Sequence, residues 1–259
     1  ARYRQNEVNT QPGIPLYTEP KHVGKARSSV EDIYKQINAD LDTALVKLTA
    51  DREHKSHINL NVAQGFKAEV LLTMGKYAEA AEMARQARSG FALMDQEAFK
   101  SGFNDISNGE WMWGVQIKTD QATTYASYFA HTDPCSYGYN EMGCEKRINS
   151  QLYDAMGDHD VRKAVCWGAE GGVRENVYGA FELPPYTVDK FQLASYSSWA
   201  ADYCYMRAAE MYLIEAEGLA RSGQEAEAAG VLYELVSTRD PDYVKTTSTG
   251  PRLIDEILL

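Results

Sequence analysis

The sequence has no long apolar run. None of its segments approaches the roughly 20 consecutive apolar residues that a membrane-spanning helix needs, and Ala1 to Asn9 lack the apolar core of a signal peptide. Basic residues are also few, because 26 lysines and arginines stand against 37 acidic residues and give a formal net charge of -11. That balance repels a phosphate backbone and argues against nucleic acid as a partner. With 259 residues and 44% hydrophobic composition, the chain can bury one substantial core.

Cysteine motifs are absent as well. The cysteines are Cys135, Cys144, Cys166 and Cys204, and none of them forms a CxxC pair or a zinc-finger spacing, which argues against a zinc site. Two alternatives remain for their chemical state. Either Cys135 and Cys144, which flank one loop, form a disulfide in an oxidising compartment, or all the cysteines are unpaired thiols.

No catalytic motif is present. The sequence contains no GxSxG, no P-loop, no GxGxxG and no HExxH. His131, Asp133 and Cys135 have the spacing of ligands on a strand edge, but this mixed set is atypical for a metal and an ordinary polar loop explains it better. The acids at 158–160 are better explained as an N-cap for the turn leading to Arg162. We therefore expect no catalysis, no metal site and no cofactor.

Hydrophobic periodicity predicts helices between residues 28 and 90. Ser28 and Glu31 have capping-box spacing at the start of the first helix, whose apolar residues recur at three- and four-residue steps. A second helix runs from about Asn61 to Met74 and ends at Gly75, and a third occupies residues 77–90. Because a short glycine turn joins the last two helices, they must pack antiparallel.

The sequence contains an internal repeat. Ala68 to Ala81 reads AEVLLTMGKYAEAA and Ala216 to Ala229 reads AEGLARSGQEAEAA, with identity at eight of fourteen positions. The shared turn glycine and alanines follow the tetratricopeptide pattern. Helical composition alone can imitate a repeat, but the common register of the glycine favours true structural repetition. Two copies are too few for a free-standing solenoid, so they must pack on another part of the chain.

The middle of the chain is the expected packing partner. Trp111, Trp113, Val115 and Ile117 alternate as a strand should, whereas the region after them shows little periodicity beyond a short helix near Leu152. We predict one mainly α domain over residues 1–259. Its parts are an extended lead-in at 1–27, tetratricopeptide-like helix pairs at 28–90 and 206–239, and an irregular, loop-rich region at 120–205 with a few short strands.

Tyrosines concentrate in the irregular region, which holds ten of the seventeen. The segment TTYASYFAHTDPCSYGYNEMG sets them among Gly and Asn, a mixture that offers flat rings and hydrogen-bonding groups to a sugar. We predict Tyr137, Tyr139 and Asn140 as ligand-binding residues, because their glycine-punctuated context favours exposure. Simple core filling is the alternative for Tyr125, Phe129 and Trp113.

Residues 202–221, DYCYMRAAEMYLIEAEGLAR, closely resemble the MRxAExYLxxAEAxAR stretch of the SusD/RagB family of nutrient-binding outer-membrane lipoproteins, with Gly218 in place of the usual Ala. GIPLYTEP at 13–20, FNDISNGEWMWGVQ at 103–116 and KRINSQLYDAMGDHDVRKAVCW at 146–167 agree as well. The resemblance implies a non-enzymatic, cell-surface protein that captures oligosaccharides for a SusC-like TonB-dependent transporter. It also implies that the tetratricopeptide helices contact the transporter and that a separate face of loops takes the glycan.

The chain departs from this family at its ends. It has no lipobox cysteine and stops at LIDEILL, where family members continue. The resemblance therefore implies an internal fragment, with attachment to the outer membrane through a lipid anchor outside this chain. Other functions stay open: a tetratricopeptide-type interaction module without a small ligand, a surface receptor for peptides, or a glycoside hydrolase, for which the sequence offers no candidate pair of acids.

Overall fold

Side-chain caps fix where the main helices begin. In the computed structural model, which describes residues 2–123 and 125–259, Ser29 accepts a hydrogen bond from the Asp32 amide and Asn59 accepts one from the Val62 amide. The helices are α1 Val30–Lys47, α2 Leu60–Thr73, α3 Tyr77–Ala87, α4 Gln96–Lys100, α5 Ser150–Ala155, α6 Val161–Ala164, α7 Ala208–Arg221, α8 Glu225–Arg239 and α9 Pro251–Leu258. The strands are β1 Trp111–Val115, β2 Gly172–Asn176, β3 Gly179–Leu183 and β4 Tyr203–Arg207. The predicted mainly α class is confirmed.

The N-cap of α1 lies one residue later in the chain than the capping-box spacing predicts. Residues 2–27 form no helix and no strand, and the Gly13 amide donates to the Ser28 carbonyl at 2.8 Å. Ser28 is therefore occupied by backbone pairing, and Ser29 is the N-cap of α1. The prediction of Ser28 as the cap is wrong, although the predicted helix is present.

Both copies of the internal repeat form helix hairpins. α2 packs on α3 and α7 packs on α8. Gly75 and Gly223, which occupy equivalent positions in the repeat, take φ values of +77° and +85°. Glycine adopts this left-handed conformation at little cost, so each helix ends there and the chain reverses. The tetratricopeptide-like pairs are confirmed.

The two hairpins meet where α3 packs against α7. The contact is lined by small side chains, and Ala80 and Ala84 of α3 are completely buried. Gly218 of α7 faces the backbone of α3 so closely that a Cβ there would lie 2.6 Å from the Tyr77 carbonyl oxygen. At the same contact the guanidinium of Arg88, the residue that caps α3, donates to the buried Glu215 carboxylate at 2.5 Å. Close backbone approach and this ion pair join the two repeats.

A two-stranded sheet continues directly into α7. β1 pairs antiparallel with β4, with register irregularities around Trp113, and β4 ends where α7 begins. The predicted alternation of buried and exposed residues in β1 is wrong, because Trp111 and Met112 are both completely buried. β1 is packed on two sides, so its sequence lacks the simple period of a half-exposed strand. A second antiparallel hairpin, β2–β3, lies within the region predicted as irregular.

Further sequence expectations can be placed in the fold. The short helix predicted near Leu152 is α5. Asp160 caps α6 by accepting from the Arg162 amide at 2.8 Å, as predicted. The cysteines are free thiols, with Cys135 buried and Cys144 exposed. Within the part of the chain that the structure describes, no helix has both the length and the apolar character to cross a membrane.

Candidate functional site

The irregular region presents two pairs of exposed tyrosine rings, which we call the tyrosine surface. Tyr125 and Tyr139 have ring centroids 5.8 Å apart, and Tyr137 and Tyr178 have centroids 5.7 Å apart. The exposed fractions are 51%, 47%, 59% and 45% for Tyr125, Tyr139, Tyr137 and Tyr178. The His131 ring stacks on Tyr139 with an interplanar angle of 16°. Tyrosines are large apolar groups with one polar atom, so rings exposed together in this way suit a ligand with an apolar face and a polar rim.

A buried ion cluster fixes the loop that carries Tyr137 and Tyr139. The Asp133 carboxylate accepts from the Cys135 amide and the Leu193 amide, each at 2.8 Å. Its other partners are the Arg174 guanidinium at 2.5 Å and the Tyr196 hydroxyl at 3.0 Å. Asp133 is completely buried, so these contacts replace the water that its charge has lost. The cluster therefore joins the tyrosine loop to β2 and to the segment before β4.

Arg174 is the centre of this cluster. Its guanidinium also pairs with the Asp189 carboxylate and contacts the Tyr196 hydroxyl at 2.9 Å. Burial lowers the pKa of Arg174, but Asp133 and Asp189 outweigh burial, so the pKa of Arg174 is raised and the side chain stays charged. Because Arg174 stays charged between two carboxylates, the cluster of Asp133, Arg174, Asp189 and Tyr196 supports the loops of the tyrosine surface rigidly. We call this cluster the base of the tyrosine surface.

Two further hydrogen bonds hold the second ring pair to the same base. The Asn176 amide group donates to the Cys135 carbonyl at 2.7 Å, and the Tyr178 hydroxyl donates to the Tyr196 carbonyl at 2.6 Å. Tyr137 has a φ of +61°, a left-handed conformation that is uncommon for a bulky residue. Such strain persists only where surrounding contacts impose it, and it often marks functional loops.

Asn140 does not belong to the exposed surface. Its exposed fraction is 0%, its side-chain amide donates to the Thr132 carbonyl at 3.0 Å, and its side-chain oxygen accepts from the Lys146 amide at 2.9 Å. The expectation that Asn140 is exposed is wrong, because its side chain satisfies buried backbone groups of its own loop. Tyr137 and Tyr139 are exposed, and their role in binding stays a prediction.

The three aromatic residues for which core filling was the alternative differ in their exposure. Phe129 is completely buried, and Trp113 is half-buried with its indole N–H donating to the Ser56 carbonyl at 3.1 Å. Tyr125 is exposed and belongs to the tyrosine surface. The sequence pattern did not predict Tyr178 as an exposed ring. Tyr178 lies in the turn between β2 and β3, about forty residues after Tyr137 in the chain. The Asn176–Gly179 turn between two short strands is the signal that locates it.

Asp133 and Cys135, whose spacing is that of ligands on a strand edge, lie in the loop that carries Tyr137 and Tyr139. Among residues 2–123 and 125–259, no group of three or more His, Cys, Asp or Glu side chains is placed to hold a metal ion. Asp133, one of the suspected ligands, pairs with Arg174. Burial raises the pKa of the Cys135 thiol to about 12, so it is not an activated nucleophile. What the site presents is a set of rings and hydroxyls on a fixed base.

Several solved structures similar to this chain are SusD-like or SusD superfamily proteins. A SusD-like carbohydrate binding protein from Bacteroides vulgatus ATCC 8482 has 26% identity and a TM-score of 0.76 over 95% of this chain and 52% of that chain. A SusD superfamily protein from Bacteroides thetaiotaomicron VPI-5482 has 23% identity and a TM-score of 0.75 over 98% of this chain and 57% of that chain. Surface glycan-binding protein A from Bacteroides uniformis has 16% identity and a TM-score of 0.68 over 96% of this chain and 58% of that chain.

These comparisons cover nearly all of this chain but only part of its relatives. The chain spans little more than half the length of the solved structures that it matches. No protein-family model matches it, and no curated protein matches it.

Proposed function

The chain is a member of the SusD-like family, and from this premise we propose that its tyrosine surface captures oligosaccharides for nutrient uptake. The observation that carries the proposal is the presence of two exposed ring pairs, Tyr125–Tyr139 and Tyr137–Tyr178, on a base fixed by buried ion pairs. The carbohydrate-binding description of the Bacteroides vulgatus protein supports it. Glycans, rather than nucleic acids, also agree with a net charge of -11.

The physical basis is the match between a tyrosine ring and a sugar ring. A sugar has an apolar face that gains free energy when a ring covers it and a rim of hydroxyls that need hydrogen-bond partners. A tyrosine has few rotatable bonds, so a ring that is already held in place loses little conformational entropy on binding. The Tyr178 hydroxyl is held by the Tyr196 carbonyl, and the Tyr139 ring is held by His131. The surface is therefore preorganised for binding.

Calorimetry with a panel of neutral and acidic oligosaccharides tests this proposal. We expect at least one glycan to bind, and we expect Tyr137→Ala and Tyr139→Ala each to weaken it by about tenfold, since central aromatic contacts typically contribute more than 1 kcal/mol. Tyr17→Ala is the matched control, because Tyr17 is similarly exposed but lies in the lead-in. Equal loss in the control, or no binding by any glycan, would contradict the proposal. Peptides in the same panel test the alternative of a peptide receptor.

Binding without bond cleavage is part of the proposal. The tyrosine surface presents rings and hydroxyls. The carboxylates of Asp133 and Asp189, which lie next to it, both form ion pairs with Arg174. A glycosidase needs one protonated and one ionised carboxyl on either side of the scissile bond. We therefore expect bound oligosaccharides to be recovered intact, and release of reducing ends by the pure protein would contradict this point.

We further propose that the helix pairs dock on a SusC-like TonB-dependent transporter at the cell surface. The support is the family resemblance and the separation of parts, since the ring pairs lie outside the helix hairpins α2–α3 and α7–α8. The protein-interaction alternative differs from this proposal in needing no glycan. Co-purification with the transporter together with glycan binding supports the proposal, whereas co-purification without binding of any glycan supports the interaction module. Protease treatment of intact cells tests surface exposure.

A further inference from the structure

A cavity of about 410 Å³ opens between β4, the start of α7, the end of α8 and residues 190–191. Its volume lies within the roughly 300–1,000 Å³ that is typical of small-molecule sites. Tyr128 forms part of its wall, with its ring centroid 5.6 Å from that of Tyr203. Tyr128 comes just before the short turn Phe129–His131, and His131 stacks on Tyr139. The cavity and the tyrosine surface are therefore joined through one turn of chain.

Basic side chains line this cavity in excess over acidic ones. Lys190, Arg207 and Arg239 all face it. Arg207 pairs with the buried Glu110 carboxylate at 2.9 Å. Among the described residues, no carboxylate lies within 4.0 Å of the charged nitrogens of Lys190 or Arg239. Glu210 is the acid among the described lining residues, and Glu110, the partner of Arg207, lies outside the lining. Even with both carboxylates counted against the three cations, one positive charge remains in excess when all these groups are ionised.

Aromatic rings hold the cations without neutralising them. The Lys190 ammonium lies 4.4 Å from the centroid of the Phe103 ring and 5.4 Å from that of Phe99. The Arg207 and Arg239 guanidinium groups lie 5.0 Å and 5.8 Å from the same two rings. A ring face attracts a cation, but it supplies no negative charge. The three cations therefore repel one another around shared rings.

Burial and the repulsion between cations act together on the pKa values in the cavity. Burial, with smaller contributions from Arg207 and Arg239, lowers the pKa of Lys190 to about 7. Burial also lowers the pKa of Arg239 to about 10. Buried charges are normally paired, since an unpaired charge loses its hydration without compensation. An anion in this cavity would restore the missing partner.

We propose that this cavity binds the carboxylate of an acidic sugar. The excess of cations provides the attraction for the carboxylate, and the walls formed by Phe103, Phe191, Tyr128 and Tyr203 provide apolar contact for the sugar ring. Glu110 cannot serve as the anion of the site, because its second oxygen accepts from the Met94 amide at 2.8 Å. The anion part of this inference rests on the cavity alone, whereas the sugar part rests on the proposed function.

Titrations with glucuronate and with glucose test the inference directly. We expect glucuronate to bind and glucose to bind at least tenfold more weakly, because the two differ in the carboxylate that meets the cations. Lys190→Met and Arg239→Gln should each weaken glucuronate binding by about tenfold or more. Lys47→Met is the control, because it removes the same charge from an exposed position on α1. Equal binding of glucuronate and glucose would overturn the proposal.

Stability separates a binding role from a structural one. Removing an unpaired, partly buried cation should leave the melting temperature unchanged or raise it, so Lys190→Met should lose glucuronate binding without loss of Tm. A drop in Tm with unchanged glucuronate binding would show that Lys190 is structural and would overturn the proposal. Sulfate or acetate that binds as tightly as glucuronate, with the same dependence on Lys190, would overturn the sugar part.

The dependence of affinity on pH gives a second readout. The charged or titratable groups that face Lys190 are Arg207, Arg239, Glu110 and Cys204, and burial raises the pKa of the Cys204 thiol to about 12, so it stays neutral. A sugar carboxylate is ionised throughout the neutral range. Affinity for glucuronate should therefore fall by up to about tenfold per unit as the pH rises above 7 and Lys190 loses its proton.

The matching control uses the same variant. Partial burial also raises the pKa of Glu210, so its titration is the alternative cause of a pH effect. Lys190→Met should flatten the profile if Lys190 is responsible, and an unchanged profile in Lys190→Met would contradict the proposal. Glucuronate binding that is unchanged when Tyr137→Ala weakens oligosaccharide binding, or when no oligosaccharide binds at all, supports the cavity independently of the tyrosine surface. Oligosaccharide binding without any glucuronate binding removes the cavity and leaves the proposed function intact.

Discussion

Replacement of Gly218 by alanine tests how closely the two helix hairpins approach each other. Gly218 lies in α7, and an added Cβ would lie 2.6 Å from the Tyr77 carbonyl oxygen and 3.0 Å from the Cβ of Ala81. Real Cβ atoms do not approach a backbone oxygen this closely, so α3 or α7 must shift. Overpacking of this kind costs about 1–3 kcal/mol, whereas alanine gains about 1 kcal/mol over glycine in a helix interior. We expect Gly218→Ala to destabilise the protein or, at best, to leave its stability unchanged.

Gly230→Ala provides a matched control for helix propensity. Gly230 lies inside α8, and an added Cβ would meet only the Lys245 ammonium, at 3.5 Å. This substitution should therefore stabilise the protein by about 1 kcal/mol. Because the propensity gain is common to both variants, the difference between them isolates the steric cost at Gly218, about 1–3 kcal/mol.

Urea unfolding followed by circular dichroism measures this difference in the free energy of unfolding. Thermal unfolding should show a Tm that is about 2–12 °C lower for Gly218→Ala than for Gly230→Ala, because 1 kcal/mol shifts Tm by roughly 2–4 °C in a chain of this size. If both variants were stabilised equally, the close approach of α3 to α7 would be wrong. The family pattern that resembles this chain has Ala at this position, so the result also tests whether this chain packs its helices more closely there.

Further substitutions test the base of the tyrosine surface and one titrating group. Asn140→Ala should cost about 1–3 kcal/mol because it leaves buried backbone groups unpaired, whereas Tyr137→Ala should leave stability nearly unchanged; urea unfolding compares them. Arg174→Met should cost about 3–5 kcal/mol, because two buried carboxylates lose their cation, and an effect below 1 kcal/mol would refute the ion cluster. Burial and the neighbouring Glu210 raise the pKa of Glu69 from 4.5 to about 7. The folded state therefore binds this proton more tightly than the unfolded state does. The stability that results is fully present below about pH 4.5 and is lost as the pH rises through 7. Unfolding measured at about pH 5 and about pH 8 should show this loss in the parent protein, and Glu69→Gln should remove it.

The helical part of the fold could be predicted because its signals are local. The repeat places Gly75 and Gly223 at the ends of two helices, and both adopt the left-handed conformation that the pattern requires. The same local reasoning misplaced the cap of α1 by one residue, since pairing of Ser28 with the lead-in decides between two adjacent serines. Helix periodicity and turn chemistry therefore identify the elements, and contacts between segments set their exact boundaries.

The candidate site could be predicted only in part, because its base is assembled from distant segments. A tyrosine-rich loop with glycines indicates exposed rings, and Tyr137 and Tyr139 are exposed. The pairing of Asp133 with Arg174 joins residues 41 positions apart, and nothing in the local pattern of either residue indicates it. Asn140 is a case in which the local pattern indicated the wrong environment. Its context is that of an exposed loop, yet its amide is used to satisfy the backbone of that loop.

The cationic cavity had no counterpart in the sequence reasoning for the same reason. Lys190, Arg207 and Arg239 lie in the segment before β4, at the end of β4 and at the end of α8. They come together only in the folded chain, where α7 follows β4 directly and α8 packs on α7. Net charge counted over the whole sequence hides such a site, because -11 is a sum and a local excess of cations does not change its sign.

The central claim, that the exposed tyrosine rings bind oligosaccharides, is tested most directly by NMR of isotope-labelled tyrosine rings. Signals are assigned by single Tyr→Phe substitutions, and an oligosaccharide that binds in calorimetry is then titrated in. We expect shifts at Tyr125, Tyr137, Tyr139 and Tyr178, with the signal of Tyr17 unchanged. Shifts confined to tyrosines of the helix pairs, or no change in any ring at saturating glycan, would contradict the account.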